Sequence, residues 1–204
     1  MRPISCRTNR VARLAAAEAA AVKALSLAPE SAYAHFGLGL VFAATGRVEQ
    51  GIAECQRALS INPNLASAHA TIGLYKARVG RAEETEAHVE EAFRLSPRDA
   101  SAYIWLGMLG ISKITLGRYD EAVVWLRRSL EANRNNPMSH FLLSAASALL
   151  GQMDEARATV RSGLALNPQF TIARLRTASS ERGPMFAQFE RVLEGMRRAG
   201  VPEE

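Results

Sequence analysis

Residues 32–63, AYAHFGLGLVFAATGRVEQGIAECQRALSINP, return 34 residues later with the same skeleton, as ASAHATIGLYKARVGRAEETEAHVEEAFRLSP over residues 66–97. The pattern returns twice more, as ASAYIWLGMLGISKITLGRYDEAVVWLRRSLEAN from Ala100 and PMSHFLLSAASALLGQMDEARATVRSGLALNP from Pro137. A period of this length means stacked supersecondary units, each too small to bury its own apolar face, so every residue has to be read against its repeat position. Within each unit the apolar residues recur at helical spacing and no sustained period-two alternation is present, which predicts an all-α chain.

Each unit reads as two amphipathic helices joined by a forced turn. A glycine closes the first helix, at Gly46, Gly80, Gly117 and Gly151, where a residue without a Cβ enters the left-handed region at little cost. The second helix opens on Glu49-Gln50, Glu83-Glu84, Asp120-Glu121 or Asp154-Glu155, whose carboxylates complement the positive end of a helix dipole. Pro63, Pro97 and Pro168 end it, because proline cannot continue the hydrogen-bond ladder. Ser31, Asp99 and Asn136 stand where the next helix needs an N-cap, with Pro137 suited to a first turn.

These residues resemble the tetratricopeptide repeat. The first helices carry hydrophobe-glycine pairs (Leu38-Gly39, Ile72-Gly73, Leu106-Gly107), the second helices carry small residues (Ala58, Ala92, Ala122, Ala156), and a proline ends the unit. His35, His69 and His140 stand where the family often has tryptophan, Thr85 replaces a usual alanine, and Arg134 replaces a terminal proline. The resemblance implies a right-handed superhelical solenoid of antiparallel helix pairs.

On this register, residues 1–10 form a disordered basic tail and 11–31 a partial repeat with a second helix only, marked by Ala17, Ala21, Ala24 and Leu25. Residues 32–65 and 66–99 are regular repeats, 100–136 a third with three extra residues before Gly117, and 137–170 a fourth. The extra residues lengthen the first helix of that repeat or make its turn bulge. Residues 171–204 are a degenerate helix and a capping helix: 170–176 begin another first helix, 179–183 form a loop, and Pro184 opens a last helix. Its stripe of Met185, Phe186, Phe189, Val192, Leu193 and Met196 predicts a C-terminal capping helix. The ending, FTIARLR, a loop and FERVLEGMRRAGVPEE, is also similar to the tail of tetratricopeptide modules attached to bacterial class III adenylate or guanylate cyclases and to winged-helix regulators. No cyclase catalytic domain is included.

The net charge of +5 belongs to the ends. Residues 1–13 hold Arg2, Arg7, Arg10 and Arg13 without an acid, residues 171–204 hold six arginines against five glutamates, and the array between is near neutral. Aromatic residues do not interleave with the basic ones, so a solvated tail is expected and no nucleic-acid platform. Cys6 and Cys55 have no metal or disulfide spacing, and Cys55 falls on an inward face. No run of about 18 apolar residues suggests a membrane span, and VARLAAAEAAAVKAL is broken by Arg13, Glu18 and Lys23, unlike a signal-peptide core. A cytoplasmic location is expected.

The chain offers little for catalysis. His35, His69 and His140 share one repeat position, but equivalent residues in packed repeats stand at least about 8–10 Å apart, whereas zinc ligands converge at about 2 Å; core-facing histidines are expected. His88 reads as solvated. The glycines of GLGLVF lie inside a helix, phosphate-loop, HExxH and GxSxG motifs are absent, and carboxylate pairs such as Glu83-Glu84 and Glu90-Glu91 have no group to separate their pKa values. Neither a cofactor nor a metal is implied, and the chain reads as a non-enzyme.

In the resembled fold the first helices line a concave groove. Carrying that register over places there Tyr33, Phe36, Leu40 and Ala44; Ser67, Ala70, Leu74 and Arg78; Ser101, Ile104, Met108 and Ser112; and Met138, Phe141, Ala145 and Leu149. The lysine, arginine and asparagine with which some members grip a chaperone's C-terminal carboxylate are missing. Such an apolar groove suits a partner helix or peptide, with Tyr33, Phe36, Ile104, Met108 and Phe141 as anchors beside Leu40, Leu74 and Arg78. The same residues could instead pack on one another or on the C-terminal helix, an alternative that serine at Phe36 and Phe141 separates by sparing or breaking the fold. Two roles stay open: a protein-protein interaction scaffold, or a regulatory or sensory module of a signalling cyclase or transcription regulator. A severed module would self-associate through the unpaired helix from Ala12 to Leu27.

Overall fold

Every hairpin of the array turns at a glycine in the left-handed region, with φ of +86° at Gly46, +93° at Gly80, +76° at Gly117 and +87° at Gly151. The residue after each glycine donates its N–H back across the turn, Arg47 to the Phe42 carbonyl at 2.8 Å and Arg118 to that of Lys113 at 2.9 Å, for example. This closes the helix end and reverses the chain. The computed structural model describes residues 5–180 and 186–204. They form α1 (Ser5–Leu27), α2 (Ala32–Ala44), α3 (Val48–Ile61), α4 (Ala66–Arg78), α5 (Thr85–Leu95), α6 (Ala102–Thr115), α7 (Tyr119–Ala132), α8 (Pro137–Leu150), α9 (Met153–Leu166), α10 (Ile172–Ser180) and α11 (Phe186–Ala199), with a 3-10 turn over Ala82–Glu84 ahead of α5.

The helices stack as antiparallel pairs, α2 with α3, α4 with α5, α6 with α7 and α8 with α9, in a right-handed solenoid closed by α11. The small positions of the second helices make the pairs possible. Cys55, Ala58, Val89, Ala92, Ala122, Leu126, Ser129 and Ala156 are all fully buried beneath their own first helix. A Cβ on Gly39 would stand 2.9 Å from the Cys55 Sγ and from the Gly51 carbonyl oxygen. Cys55 is accordingly a core residue, and burial pushes its thiol pKa up to about 12.

Several expected boundaries move. α1 begins at Ser5, so residues 5–10 are helical and not a disordered tail; the alanine-rich sequence behind them carries the helix on past its repeat boundary. Ser179 and Ser180, expected to open a loop over 179–183, belong to α10; the rest of that expected loop, with Pro184 and Met185, lies outside the described residues. The extra residues of the third repeat sit mainly ahead of α6: the connection there spans 96–101, against 62–65 before α4 and 133–136 before α8. Asp99 holds this longer connection. Its carboxylate accepts the Ser101 N–H at 2.8 Å and the Ser96 hydroxyl at 3.3 Å, so the residue at the N-cap of α6 is Ser101 and not Asp99. Ser31 and Asn136 cap as expected, accepting from Ala34 N–H at 3.3 Å and Met138 N–H at 3.2 Å.

This shift also changes the register of the third repeat. A Cβ on Gly110 would stand 2.4 Å from Leu126 Cγ, the intimate contact that Gly39 makes with α3, whereas one on Gly107 meets nothing closer than 3.8 Å. Leu109-Gly110, not Leu106-Gly107, is therefore the equivalent of Leu38-Gly39 and Ile72-Gly73.

Candidate partner-binding groove

The face formed by the first helices divides in two. Over the last repeat it is occupied by α11, which lies mainly on α8 and also touches α6. Phe189, Val192, Leu193, Met196 and Ala199, spaced to lie on one side of α11, are buried, while Glu190, Arg191 and Arg198 are exposed. The crossing is close: a Cβ on Gly195 would stand 2.6 Å from the Ala145 carbonyl oxygen. Arg191 donates to the Thr115 carbonyl at 2.8 Å, and the tail behind α11 accepts the Ile172 and Ala173 N–H groups on the Pro202 and Glu203 carbonyls, both at 2.9 Å. The expected capping helix is present, seated on first helices.

Along α2, α4 and the beginning of α6 the same face is open. Tyr33 is 70% exposed, Leu40 41% and Ile104 42%. Phe36, Leu74 and Met108 are half-buried and pack against the cores beneath them. Arg78 is half-buried with its guanidinium over the Tyr75 ring at 5.7 Å. Phe141 does not line the open face. It is fully buried, its ring stacks on Phe170 at 3.8 Å between centroids, and its edge fills the space left by Gly163 in α9. Met138 and Leu149 are half-buried against the same C-terminal core and Ala145 is covered by α11. Ser112 is buried with its hydroxyl donating to the Leu109 carbonyl, so it too leaves the groove.

The repeated histidines staple turns and are half-buried instead of facing the core. Nε2 of His35, His69 and His140 lies 3.1, 3.1 and 3.0 Å from the carbonyls of Pro29, Pro63 and Arg134, each six residues earlier. Each ring thus satisfies a carbonyl in the turn that enters its repeat. His88 is half-buried, not solvated, and burial together with the charge of Lys76 lowers its pKa. Among the described residues no group of three His, Cys, Asp or Glu side chains is placed to hold a metal ion.

Sequence reading missed the ion pairs that lie behind the groove, at the hairpin ends. Lys113, only 2% exposed, donates to Glu86 at 2.7 Å and meets Glu121 at 2.9 Å. Burial acts against its charge, yet bonds to the two carboxylates prevail and hold its pKa above the ordinary lysine value. Lys76, at the equivalent position of the second repeat, pairs with Glu84, and Ser147 in the fourth donates to Glu155 at 2.9 Å. A lysine recurring four residues before the turn glycine, with a glutamate four residues after it, was the available signal.

A tetratricopeptide repeat profile matches residues 10–66, 71–137 and 108–170. Among solved structures, PilW, described as a widely conserved type IV pilus biogenesis factor, is similar over 90% of this chain and 88% of its own, with a TM-score of 0.74 and 21% identity. PilF of Pseudomonas aeruginosa aligns over 93% of this chain and 89% of its own at TM-score 0.68 and 20% identity. YrrB, described as a TPR protein with an unusual peptide-binding site, aligns over 88% and 90% at TM-score 0.60 and 22% identity. No curated protein matches the sequence. None of these carries the narrower likeness to cyclase or winged-helix regulator modules, and the similarity of the structures is one of fold. No described helix is long and apolar enough to cross a membrane. With its profile match covering most of the array and its helix pairs stacked in a solenoid, the chain belongs to the tetratricopeptide repeat family.

Proposed function

We propose that this chain is a non-catalytic protein-interaction scaffold that takes an amphipathic helix of a partner on the open part of its first-helix face, along α2, α4 and the start of α6. One observation carries the reading. The chain's own α11 lies on the continuation of that face and buries Val192, Leu193 and Met196 completely. A surface that accepts one helix through spaced apolar anchors continues, uncovered, into Tyr33, Leu40 and Ile104. The peptide-binding description of YrrB is in keeping with this use of the fold.

A labelled peptide with the sequence of residues 184–201 tests the reading. Saturable anisotropy is expected with the full chain, weakened tenfold or more by Leu40→Asp with Ile104→Asp and unchanged by Val22→Asp on α1. Equal binding by all three proteins, or none by any, would remove the groove from the proposal. The alternative role, a regulatory module of a signalling cyclase or transcription regulator, draws its support from the C-terminal sequence alone. A purified cyclase or winged-helix domain that binds only while Leu40 and Ile104 are intact would decide for it, and failure of both to bind would exclude it.

A further inference from the structure

A second uncovered helix face lies at the opposite end of the array, on α1. By register Ala17, Ala21 and Ala24 occupy the positions of Gly51, Cys55 and Ala58 in α3 and of Ala122, Leu126 and Ser129 in α7. Those six residues are buried, each under the first helix of its own pair. Ala17 and Ala24 are instead exposed and Ala21 is half-buried. The other side of α1 is occupied as it is throughout the array: α2 packs on it, and Arg47 donates to Glu18 at 2.9 Å. So α1 is a second helix with its following neighbour in place and the face for its own first helix uncovered.

Among the described residues no other segment folds back over this face. The position of Gly46, where every other hairpin reverses at positive φ, is held here by Ala12, and α1 runs straight through it as helix from Ser5. The interface that would be completed is the one the array builds four times, so its occupant has a defined chemistry. It is an amphipathic helix antiparallel to α1, with a small residue at the crossing where Gly39, Gly73 and Gly110 stand in the chain's own pairs. Charge narrows it further. Arg13 and Lys23 are exposed on α1, and its single acid, Glu18, is taken by Arg47. A second copy of α1 laid on this face would oppose basic residues to basic residues in either direction, whereas acidic flanks on the incoming helix would complement them.

We infer that the uncovered face of α1 docks an acidic-flanked amphipathic helix of another polypeptide, which completes the first repeat in trans. The probe is a labelled peptide of residues 32–44 with two glutamates added at each end, titrated into the full chain and followed by anisotropy. Saturable binding is expected. It falls at least tenfold in the Ala17→Glu, Ala24→Glu variant, whose circular dichroism and melting temperature stay unchanged because both positions are exposed, and it is unaltered by Leu40→Asp with Ile104→Asp in the groove. In Arg13→Glu with Lys23→Glu, preference passes to the same peptide flanked by lysines. No saturable binding, or binding indifferent to Ala17 and Ala24, overturns the inference. Concentration-dependent dimers of the chain alone that the Ala17→Glu, Ala24→Glu variant abolishes also overturn it, because the occupant would then be a second copy.

Discussion

Phe141 and Tyr33 both stand on first helices, yet one is a core residue and the other a surface residue, and replacing each in turn tests that division. Replacing Phe141 with alanine removes a ring that is fully buried, stacked at 3.8 Å on Phe170 and pressed against α9 where Gly163 has no side chain. None of these neighbours can fill the space: Gly163 has nothing to move, and Phe170 loses its stacking partner. Removal of a core phenylalanine costs about 3–5 kcal/mol, and the lost aromatic pair adds to the transfer and cavity costs. Tyr33 is 70% exposed, so Tyr33→Ala is expected to change stability by no more than about 0.5 kcal/mol. Urea unfolding followed by the fluorescence of Trp105 and Trp125 reads the third repeat, and hydrogen exchange reads the array pair by pair. That resolution matters because cooperativity breaks down in long repeat arrays. Phe141→Ala should speed exchange in α8, α9 and α11 first and α2 and α3 least. A loss below about 1 kcal/mol for Phe141→Ala, or an equal loss for Tyr33→Ala, would refute the assignment of core and groove.

The two glycines of α6 give an internal control. Gly110→Ala is expected to lose about 1–3 kcal/mol, because its Cβ would collide with the branch point of Leu126, while Gly107→Ala, with nothing nearer than 3.8 Å, should gain up to about 1 kcal/mol of helix propensity; chemical denaturation of the two variants checks the sign of each. Lys113→Met leaves Glu86 and Glu121 facing each other without their shared cation and should lower stability by about 1–3 kcal/mol, an effect that the further change of Glu86→Gln partly reverses. On the acid side, the Arg81 hydrogen bond, seconded by Lys76, holds the Glu84 carboxyl down to about 2, and Lys113 and Arg118 lower that of Glu121. A depressed carboxylate stabilises the fold fully above its unfolded pKa of about 4.3, so melting temperature should hold above that pH and fall as pH is lowered toward 2; a melting temperature constant through this window would exclude the ion pairs as contributors.

The repeat, its two-helix units and the four turn glycines were legible because each rests on local chemistry that one residue type satisfies. Positive φ calls for glycine at 46, 80, 117 and 151, and the backbone has it there. The third repeat was misread because registration at Ala100 assumes that an insertion lies inside the helix. The decisive fact, the contact of Gly110 with Leu126, joins residues of two helices and leaves no trace in local pattern. Phe141 was misplaced for a related reason. It occupies the repeat position of Phe36 but meets Gly163, where the cluster beneath Phe36 holds the larger Ala58 at the equivalent position, so the same register points into a deeper hole. The stripe on α11 announced a buried face; nothing in a stripe says which surface buries it.

The placement of charge sets the two proposed surfaces apart. Lys76 and Lys113 stand in the last turns of α4 and α6, and Glu121 and Glu155 in the first turns of α7 and α9. Each charge therefore complements a helix dipole as well as its partner, and these charges are used inside the hairpin ends. What remains on the open first-helix face is mainly apolar, with Tyr33, Leu40 and Ile104 uncovered and a half-buried cation, Arg78, lying over the Tyr75 ring. Attraction there comes from burial of area, which salt does not screen. On α1, Arg13 and Lys23 are exposed with no acid left on the helix to answer them, and attraction between exposed charges fades as the screening length falls from about 10 Å at 0.1 M salt to about 3 Å at 1 M. Binding of the residue 184–201 peptide should accordingly hold or strengthen with added salt while binding of the glutamate-flanked peptide weakens. Parallel weakening of both would mean that the two peptides share one charged site, and the separation of groove from α1 would fail.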